Sequence, residues 1–259
     1  MSYNSLHDLE LAGVRWELTD IPIAAPRTAP APKEVTGESP RDVSSVVSDI
    51  GRMATSVVPP IAPVQTISIE TVRAMASRPT DMSTLSRMIG EFNHPLRTTA
   101  TNVVLPHVGS GNLLILTDIP GADDDASGTV LSGAPGELMD KMLAAIGMTR
   151  SMVSIVPMIF WRTPGGRTPT RQELDMARPF VDRAIELIHP RVILTLGTLP
   201  ATEMAGVNLA KSHGAPVTME SGAILVPIYH PNYLILKPTA KRDVWNALQN
   251  VQNILKSAE

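Results

Sequence analysis

The chain of 259 residues contains no cysteine. Disulfides, thiolate nucleophiles, cysteine zinc sites and cysteine-ligated iron–sulfur clusters are therefore all excluded. Aromatic residues make up only 3% of the chain, so its core must be built mainly from alanine, aliphatic side chains and the 13 methionines. The length fits one domain with an appendage or two small domains, and the hydrophobic fraction of 43% is enough for a buried core.

Long apolar segments are also missing. No run approaches the ~20 residues that a membrane-spanning helix needs, and residues 1–10 are polar and carry acids, unlike a signal peptide. We therefore expect a cytoplasmic protein with no membrane partner. The net charge of -3 argues weakly against nucleic-acid binding. However, acidic residues predominate before residue 149 and basic residues after it, so the C-terminal half offers a footprint for phosphates.

Three regions follow from the composition. Residues 1–20 are predicted to form a short amphipathic N-terminal helix. Residues 21–84 are rich in proline, alanine and serine, which predicts a mostly disordered tether with short helices at 41–53 and 69–76. The remainder, residues 85–259, is predicted to be the folded domain. The N-terminal helix is also a candidate contact for a protein partner.

Short apolar runs after residue 112 alternate with helical patterns. Strands are predicted at 113–116, 152–156, 192–196 and 223–228, and helices at 84–92, 136–146, 171–188, 199–205 and 240–257. Such alternation predicts a parallel sheet covered by helices on both faces. Functional loops of such sheets lie beyond the carboxyl ends of the strands, here at 117–135, 157–169, 197–200 and 229–238.

Three of these loops carry distinctive motifs. The loop after the first strand begins TDIPG at residue 117, the second leads into FWRTPGGRTPT at residue 160, and the fourth into YHPNYL at residue 229. In order and spacing they resemble the motifs of the uracil-DNA glycosylase superfamily, and most closely its iron–sulfur branch, family four. The resemblance covers about residues 85–259. It implies a three-layer α/β/α sandwich with a four-stranded parallel sheet, and it implies DNA as the partner.

The resemblance also implies a reaction, which is hydrolysis of the N-glycosidic bond of a flipped, uracil-like base, as in base excision repair. The transition state pairs a sugar cation with an anionic base, so it needs a carboxylate and a hydrogen-bond donor. Asp118 stands at the family's motif-one glutamate and is the candidate for orienting water. His230 stands at the motif-two histidine and would stabilise the base anion. The alternative is that both are ordinary strand-end residues.

Further site residues follow from the resemblance. The implied base pocket includes Pro120 and Gly121, with Leu131 in place of a stacking phenylalanine and Pro157 in place of the base-reading asparagine. Thr117 replaces a motif-one glycine. The candidate DNA contacts are Arg162, Arg167, Pro231, Asn232, Lys237, Lys241 and Arg242. The acidic run at residues 123–125 is interpreted as structural.

The family's cluster cysteines are absent. His94, Trp161 and Ala177 stand at three of their positions, so apolar packing is predicted there, with no cofactor and no metal. Pro157 and Leu131 favour a catalytically impaired module that binds DNA or a partner, whereas Asp118 and His230 favour an active glycosylase. An unrelated nucleotide-binding α/β protein ranks last, because the chain lacks a G-x-x-x-x-G-K-[ST] phosphate loop.

Overall fold

The computed structural model of the protein describes residues 68–257. The predicted helix at 1–20, the predicted short helix at 41–53 and most of the tether lie outside the described residues. None of the helices within residues 68–257 combines the length and the apolar character needed to cross a membrane.

A sheet of five strands forms the centre of the described domain. The strands are β1 (Leu113–Thr117), β2 (Val153–Pro157), β3 (Val192–Leu196), β4 (Val217–Thr218) and β5 (Ile224–Ile228), and their order across the sheet is β2-β1-β3-β5-β4. Every residue of β1, β2 and β3 is buried, which explains why these strands are continuous apolar runs. The four predicted parallel strands are confirmed.

The fifth strand corrects the prediction of a purely parallel, four-stranded sheet. β4 is only two residues long and pairs antiparallel with β5, with Val217 opposite Leu225 and Thr218 opposite Ile224. So short a segment carries no readable period of alternation. The sheet is therefore mixed, with one short antiparallel edge strand.

Alternate strand residues face two separate cores. Leu114 and Leu116 of β1 pack into one core, whereas Leu113 and Ile115 pack into the other. This alternation is the two-residue period of a β-strand. The first core is covered by the helices α1 (Ile69–Ala76), α2 (Met82–Glu91) and α5 (Arg171–Ile188), and the second by α4 (Gly133–Ala145), α8 (Pro231–Leu236) and α9 (Lys241–Lys256). The predicted three-layer α/β/α architecture is confirmed.

The remaining helices are short. They are α3 (Ala122–Ser127), α6 (Thr198–Ala205) and α7 (Leu209–Ser212). The long helix α5 has the predicted bounds and begins with the predicted capping box, in which the Thr170 hydroxyl accepts from the Glu173 N–H and the Glu173 carboxylate accepts from the Thr170 N–H.

The packed domain begins before residue 85. Helix α1, which the sequence pattern assigned to the tether, packs on α5, and its Val72 and Ala76 are buried in the same core as the sheet. Arg183 of α5 also donates two hydrogen bonds to the carbonyl oxygen of Pro79. The predicted boundary is therefore corrected for residues 68–84, which belong to the folded domain.

Candidate active site

A cleft opens at the carboxyl ends of β1, β3 and β5. Its volume is about 630 Å³. Asp118 directly follows β1, Gly197 follows β3, and His230 lies two residues beyond β5, and all three line the cleft. The other lining residues are Ile119, Pro120, Gly121, Arg162, Gly166, Thr198, Leu209, Ala210, Tyr229, Asn232, Tyr233 and Leu236.

Gly197 brings the carboxylate and the imidazole close together. It has a φ of +96°, a conformation that other residues rarely adopt. A Cβ atom on Gly197 would lie 3.3 Å from Oδ2 of Asp118 and 3.6 Å from Cβ of His230. The two side chains, more than a hundred residues apart in sequence, therefore flank the same backbone position. Only glycine leaves the space between them free.

Asp118 is half-buried beneath the cleft. Its Oδ1 accepts a hydrogen bond of 3.0 Å from the Ile119 N–H. Burial raises the pKa of the Asp118 carboxyl above its usual value, and the Ile119 hydrogen bond opposes part of that rise. A carboxylate of raised pKa is a stronger proton acceptor, which suits it to take a proton from water.

His230 is held at both of its ring nitrogens. Nδ1 accepts from the Asn232 N–H at 3.1 Å, which caps the start of α8, and Nε2 lies 3.2 Å from Oγ1 of Thr117. Burial lowers the pKa of His230 to about 4, against the opposing charge of Asp124. The ring is therefore neutral at pH 7. Because Nδ1 is an acceptor, the single ring proton belongs on Nε2.

The acidic run forms the short helix α3 rather than the predicted open loop. Asp124 accepts from the N–H groups of Gly121 and Ser132 at 2.9 and 2.6 Å, and thereby ties the two ends of the segment together. Buried Asp125 accepts from the N–H groups of Thr101 and Asn102. Asp124 and Asp125 therefore have the structural role that was predicted for the acidic run.

A second, smaller cavity of about 210 Å³ adjoins the cleft on the side of α3. His230, Asn232, Gly121 and Leu131 line it, among others. Leu131 has a φ of +53°, which is rare for a branched residue. The guanidinium of Arg150 donates to the carbonyl oxygens of Val130 and Leu131 and holds this conformation. The structure thus brings three of the predicted base-pocket residues, Pro120, Gly121 and Leu131, to the two cavities.

The fourth predicted pocket residue, Pro157, lies elsewhere. It is buried at the end of β2, paired with Thr117 across the sheet, and lines neither cavity. Proline has no side-chain donor or acceptor. The end of β2 therefore presents no hydrogen-bonding side chain at this position.

The predicted phosphate contacts fall into three groups. Arg162 lines the cleft, and its buried Nε has no hydrogen-bond partner among residues 68–257. Arg167 instead forms a two-pronged ion pair with Glu173, at 2.9 and 2.6 Å, and holds the pKa of that carboxyl at about 2. Its guanidinium is therefore largely committed to the start of α5. Lys237, Lys241 and Arg242 are exposed, and their contacts with DNA stay predictions.

The segment after His230 begins a helix. Pro231 is buried as the first residue of α8, a position that suits proline, and its contact with DNA stays a prediction. Asn232 is exposed and lines both cavities. Among the large apolar residues between 68 and 257, Leu236 is the most open to solvent: it is 84% exposed at the C-terminal end of α8 and also lines the cleft.

Comparison with known proteins identifies the family. Residues 107–249 match the family model of the Uracil DNA glycosylase superfamily. This chain belongs to that superfamily. The matched span contains every strand of the sheet and every residue lining the cleft, so the superfamily assignment applies directly to the site.

Three relatives of this chain are named Type-4 uracil-DNA glycosylase. The protein of Thermotoga maritima is 33% identical over 148 residues, which cover 54% of this chain and 76% of the relative. That of Archaeoglobus fulgidus is 30% identical over 159 residues, covering 57% and 79% respectively. That of Pyrobaculum aerophilum is 30% identical over 138 residues, covering 50% and 70%.

The residues that stand at cluster-cysteine positions of the family-four pattern belong to a packed region of the core. We define the aromatic cluster as Phe92, His94, Phe160, Trp161 and Phe180. The rings of His94 and Trp161 stack at 4.4 Å with an interplanar angle of 5°, and Phe92 contacts Phe180 edge to face at 4.9 Å. Ala177 offers no ligand atom and the Trp161 indole only a donor. These residues do not fit a cysteine-ligated cluster.

Within the described part of the chain, no group of three histidine, aspartate or glutamate side chains converges to hold a metal ion. Several residues that shape the site were not identified from the sequence as part of it. The sequence placed Gly197 in the loop at 197–200 and Tyr229 in the motif YHPNYL without giving either a role in the site. Leu209 and Leu236 were distinguished only by being apolar. Contacts between distant segments create their roles, so no local pattern reports them.

Proposed function

We propose that this protein removes a uracil-like base from DNA by hydrolysing its N-glycosidic bond, with Asp118 and His230 as the catalytic residues. The observation that carries the proposal is the meeting of their side chains across Gly197, at the edge of one open cleft. The relatives' shared name, uracil-DNA glycosylase, supports uracil as the base. An enzyme is favoured over an impaired binding module, because both reactive groups are present and accessible from the cleft.

The reaction assigns one task to each group. The ionised Asp118 carboxylate orients a water molecule toward the anomeric carbon and accepts its proton as the new carbon–oxygen bond forms. The bond between the anomeric carbon and the base breaks, and its electron pair leaves with the base. The neutral imidazole of His230 donates its Nε2 proton to a hydrogen bond with the resulting oxyanion. Such donors, aimed where charge develops, commonly contribute 10²–10³ in rate.

Access to a base in DNA requires that the base leave the helix. The cleft offers a means of holding the distorted DNA. Leu236 projects from its rim as an exposed apolar side chain, of the kind that enters the gap between separated bases. We expect the guanidinium of Arg162, which lines the cleft and whose Nε has no partner among the described residues, to bind a phosphate of the extruded nucleotide.

The test measures uracil release from single-stranded and mismatched DNA. We expect Asp118→Asn and His230→Ala each to lower the rate by a factor of about 10²–10³. Asp118→Asn should leave the melting temperature close to that of the wild type, whereas His230→Ala also removes the cap of α8 and should lower the free energy of unfolding by about 1 kcal/mol. The matched control is Glu137→Gln, which removes an exposed carboxylate on α4 that lines neither cavity.

Two outcomes would count against the enzyme. Full activity in the Asp118 and His230 variants would remove both residues from the mechanism. A wild-type protein that binds DNA in a salt-dependent manner and releases no base would instead support the impaired module.

A further inference from the structure

The donor of His230 is not free in this structure. Its Nδ1 receives the Asn232 N–H, so the ring proton of the neutral imidazole is on Nε2, and Nε2 is 3.2 Å from Oγ1 of Thr117. Thr117 is only 4% exposed. The hydrogen bond is therefore shielded from solvent. The hydroxyl oxygen of Thr117 already accepts the Nε2–H of His230, which a bound base would need as its donor.

We propose that Thr117 is a specificity-determining residue, whose hydroxyl oxygen stands in for the carbonyl oxygen of a base and must be displaced before His230 can act. This inference rests on the proposed function. Thr117 acts through the imidazole and is a positioning residue, since it lines neither cavity.

The location of Thr117 explains why the pairing is stable. It is the last residue of β1, and its branched side chain has few allowed rotamers there. Its partner across the sheet, Pro157, has no side-chain group to compete for the hydroxyl. The Nδ1 cap on α8 fixes the other side of the imidazole. The ring is thus held between two contacts, and only the one to Thr117 can be exchanged for a ligand.

The exchange selects among bases. An anionic oxygen is a stronger acceptor than a neutral hydroxyl, so it displaces Thr117 most readily as the glycosidic bond breaks. A base without a ring carbonyl offers no oxygen to make this exchange. The substrate class is therefore bases that leave with negative charge on a carbonyl oxygen, such as oxo-pyrimidines, and it excludes adenine.

Two substitutions at residue 117 separate the hydroxyl from the bulk of the side chain. Thr117→Ala removes the hydroxyl oxygen that accepts from His230. Thr117→Ser keeps that hydroxyl but, like alanine, lacks the methyl group of threonine. We expect Thr117→Ala to raise kcat/KM for uracil release about fivefold to tenfold, the factor that one ordinary neutral hydrogen bond supplies. Thr117→Ser is expected to stay within about twofold of the wild type. Adding His230→Ala to Thr117→Ala should abolish the gain, because the gain depends on the imidazole.

A readout independent of activity is the proton resonance of the His230 Nε2–H in nitrogen-15 NMR spectra. It should be slow to exchange in the wild type and in Thr117→Ser, and shifted or lost in Thr117→Ala. Equal activities of the Ala and Ser variants, lower activity in the Ala variant, or a resonance that does not respond to Thr117→Ala would overturn the proposal.

The two proposals can fail separately. Absence of base release in the wild type and in every variant, with DNA binding intact, contradicts the proposed function. The pairing of Thr117 with His230 is then tested by the Nε2–H resonance alone. A resonance that changes in Thr117→Ala but not in Thr117→Ser supports the pairing, and one that is the same in both variants overturns it.

Discussion

The aromatic cluster and the cleft around His230 are two regions where the chain departs from the family-four motifs, and the departures are compensated differently. In the aromatic cluster, cysteine positions are occupied by side chains that stack and fill space, including Trp161, which is fully buried. Beside the cleft, a buried threonine, Thr117, in place of a glycine makes a polar contact with His230. Under the proposed function, we expect the first region to contribute to stability and the second to chemistry.

The phenylalanines of the chain all lie in the first of these regions. The chain has only three phenylalanines, and all three belong to the aromatic cluster. A buried aromatic ring contributes large apolar area and specific ring contacts. The phenylalanines are thus concentrated where, in the family-four pattern, an iron–sulfur cluster would link distant segments. These segments run from the end of α2 to the middle of α5.

The largest effect is expected in the aromatic cluster, on the stability of the domain. Trp161→Ala should lower the free energy of unfolding by about 3–5 kcal/mol, because it leaves a cavity within a packed core. Base release, measured well below the melting temperature, should stay within about threefold of the wild type. Urea denaturation gives the stability. The control is Trp245→Ala, where the ring is 40% exposed and the expected loss is below about 1 kcal/mol. Equal losses in the two variants would mean that the aromatic cluster is not a stabilising centre.

The second prediction addresses the cleft. Gly197→Ala would place a methyl carbon 3.3 Å from the Asp118 carboxylate, at a φ that strains alanine. We expect a fall in kcat of about a hundredfold, since small displacements of reacting groups have effects of that size. The control is Gly206→Ala, which has a similar strain at φ +64° but meets nothing within 4 Å. If both variants lose activity equally, backbone strain rather than the placement of Asp118 is responsible.

The third prediction concerns pH. The pKa of His230 in the folded protein, about 4, lies below the value of about 6.5 for an unfolded histidine. Above pH 6.5 both states are neutral and the group adds no pH dependence. As the pH falls from 6.5 toward 4, only the unfolded state takes up the proton, so folding stability declines, by about 1–2 kcal/mol at pH 5 from this group.

Urea denaturation at pH 7 and pH 5 measures that loss. His230→Asn should reduce it, since the variant carries no titrating group at the position. An imidazole resonance that titrates near pH 6.5 in the folded protein would contradict the burial of His230.

The smallest effect is expected at the rim of the cleft. Arg162→Gln should weaken DNA binding a few-fold and lower the slope of log affinity against log salt by about one, as the loss of one phosphate contact does. Fluorescence anisotropy over a range of salt concentrations measures both. Arg87→Gln, which removes an exposed arginine from a groove elsewhere on the domain, should change neither. An unchanged slope in Arg162→Gln would leave the arginine without a phosphate contact.

Patterns local in sequence predicted most of the fold. The bounds of α5 follow from a capping box and a regular apolar face, and the four parallel strands from buried runs between turns. The two-residue strand β4 and the six-residue helix α3 were missed, because neither spans enough residues to show a period. The start of the domain was placed too late, because the packing of α1 on α5 is a contact between distant segments.

The candidate site was predicted less completely. Asp118 and His230 were identified because they belong to motifs at strand ends, and their proximity follows from the parallel sheet. The pairing of Arg167 with Glu173 could not be inferred, since a charge in a loop gives no indication of its partner. The role of Gly197 depends on three strands ending side by side, which only the folded arrangement reveals.

The contact between Nδ1 of His230 and the Asn232 N–H has a consequence for acid conditions. A proton on Nδ1 would turn this acceptor into a donor, and the first turn of α8 would lose its cap. That helix carries Leu236 at its other end. A single protonation would thus unsettle the surface that we propose to contact the DNA in the same event that alters the imidazole, so the proposed recognition and chemistry would fail together.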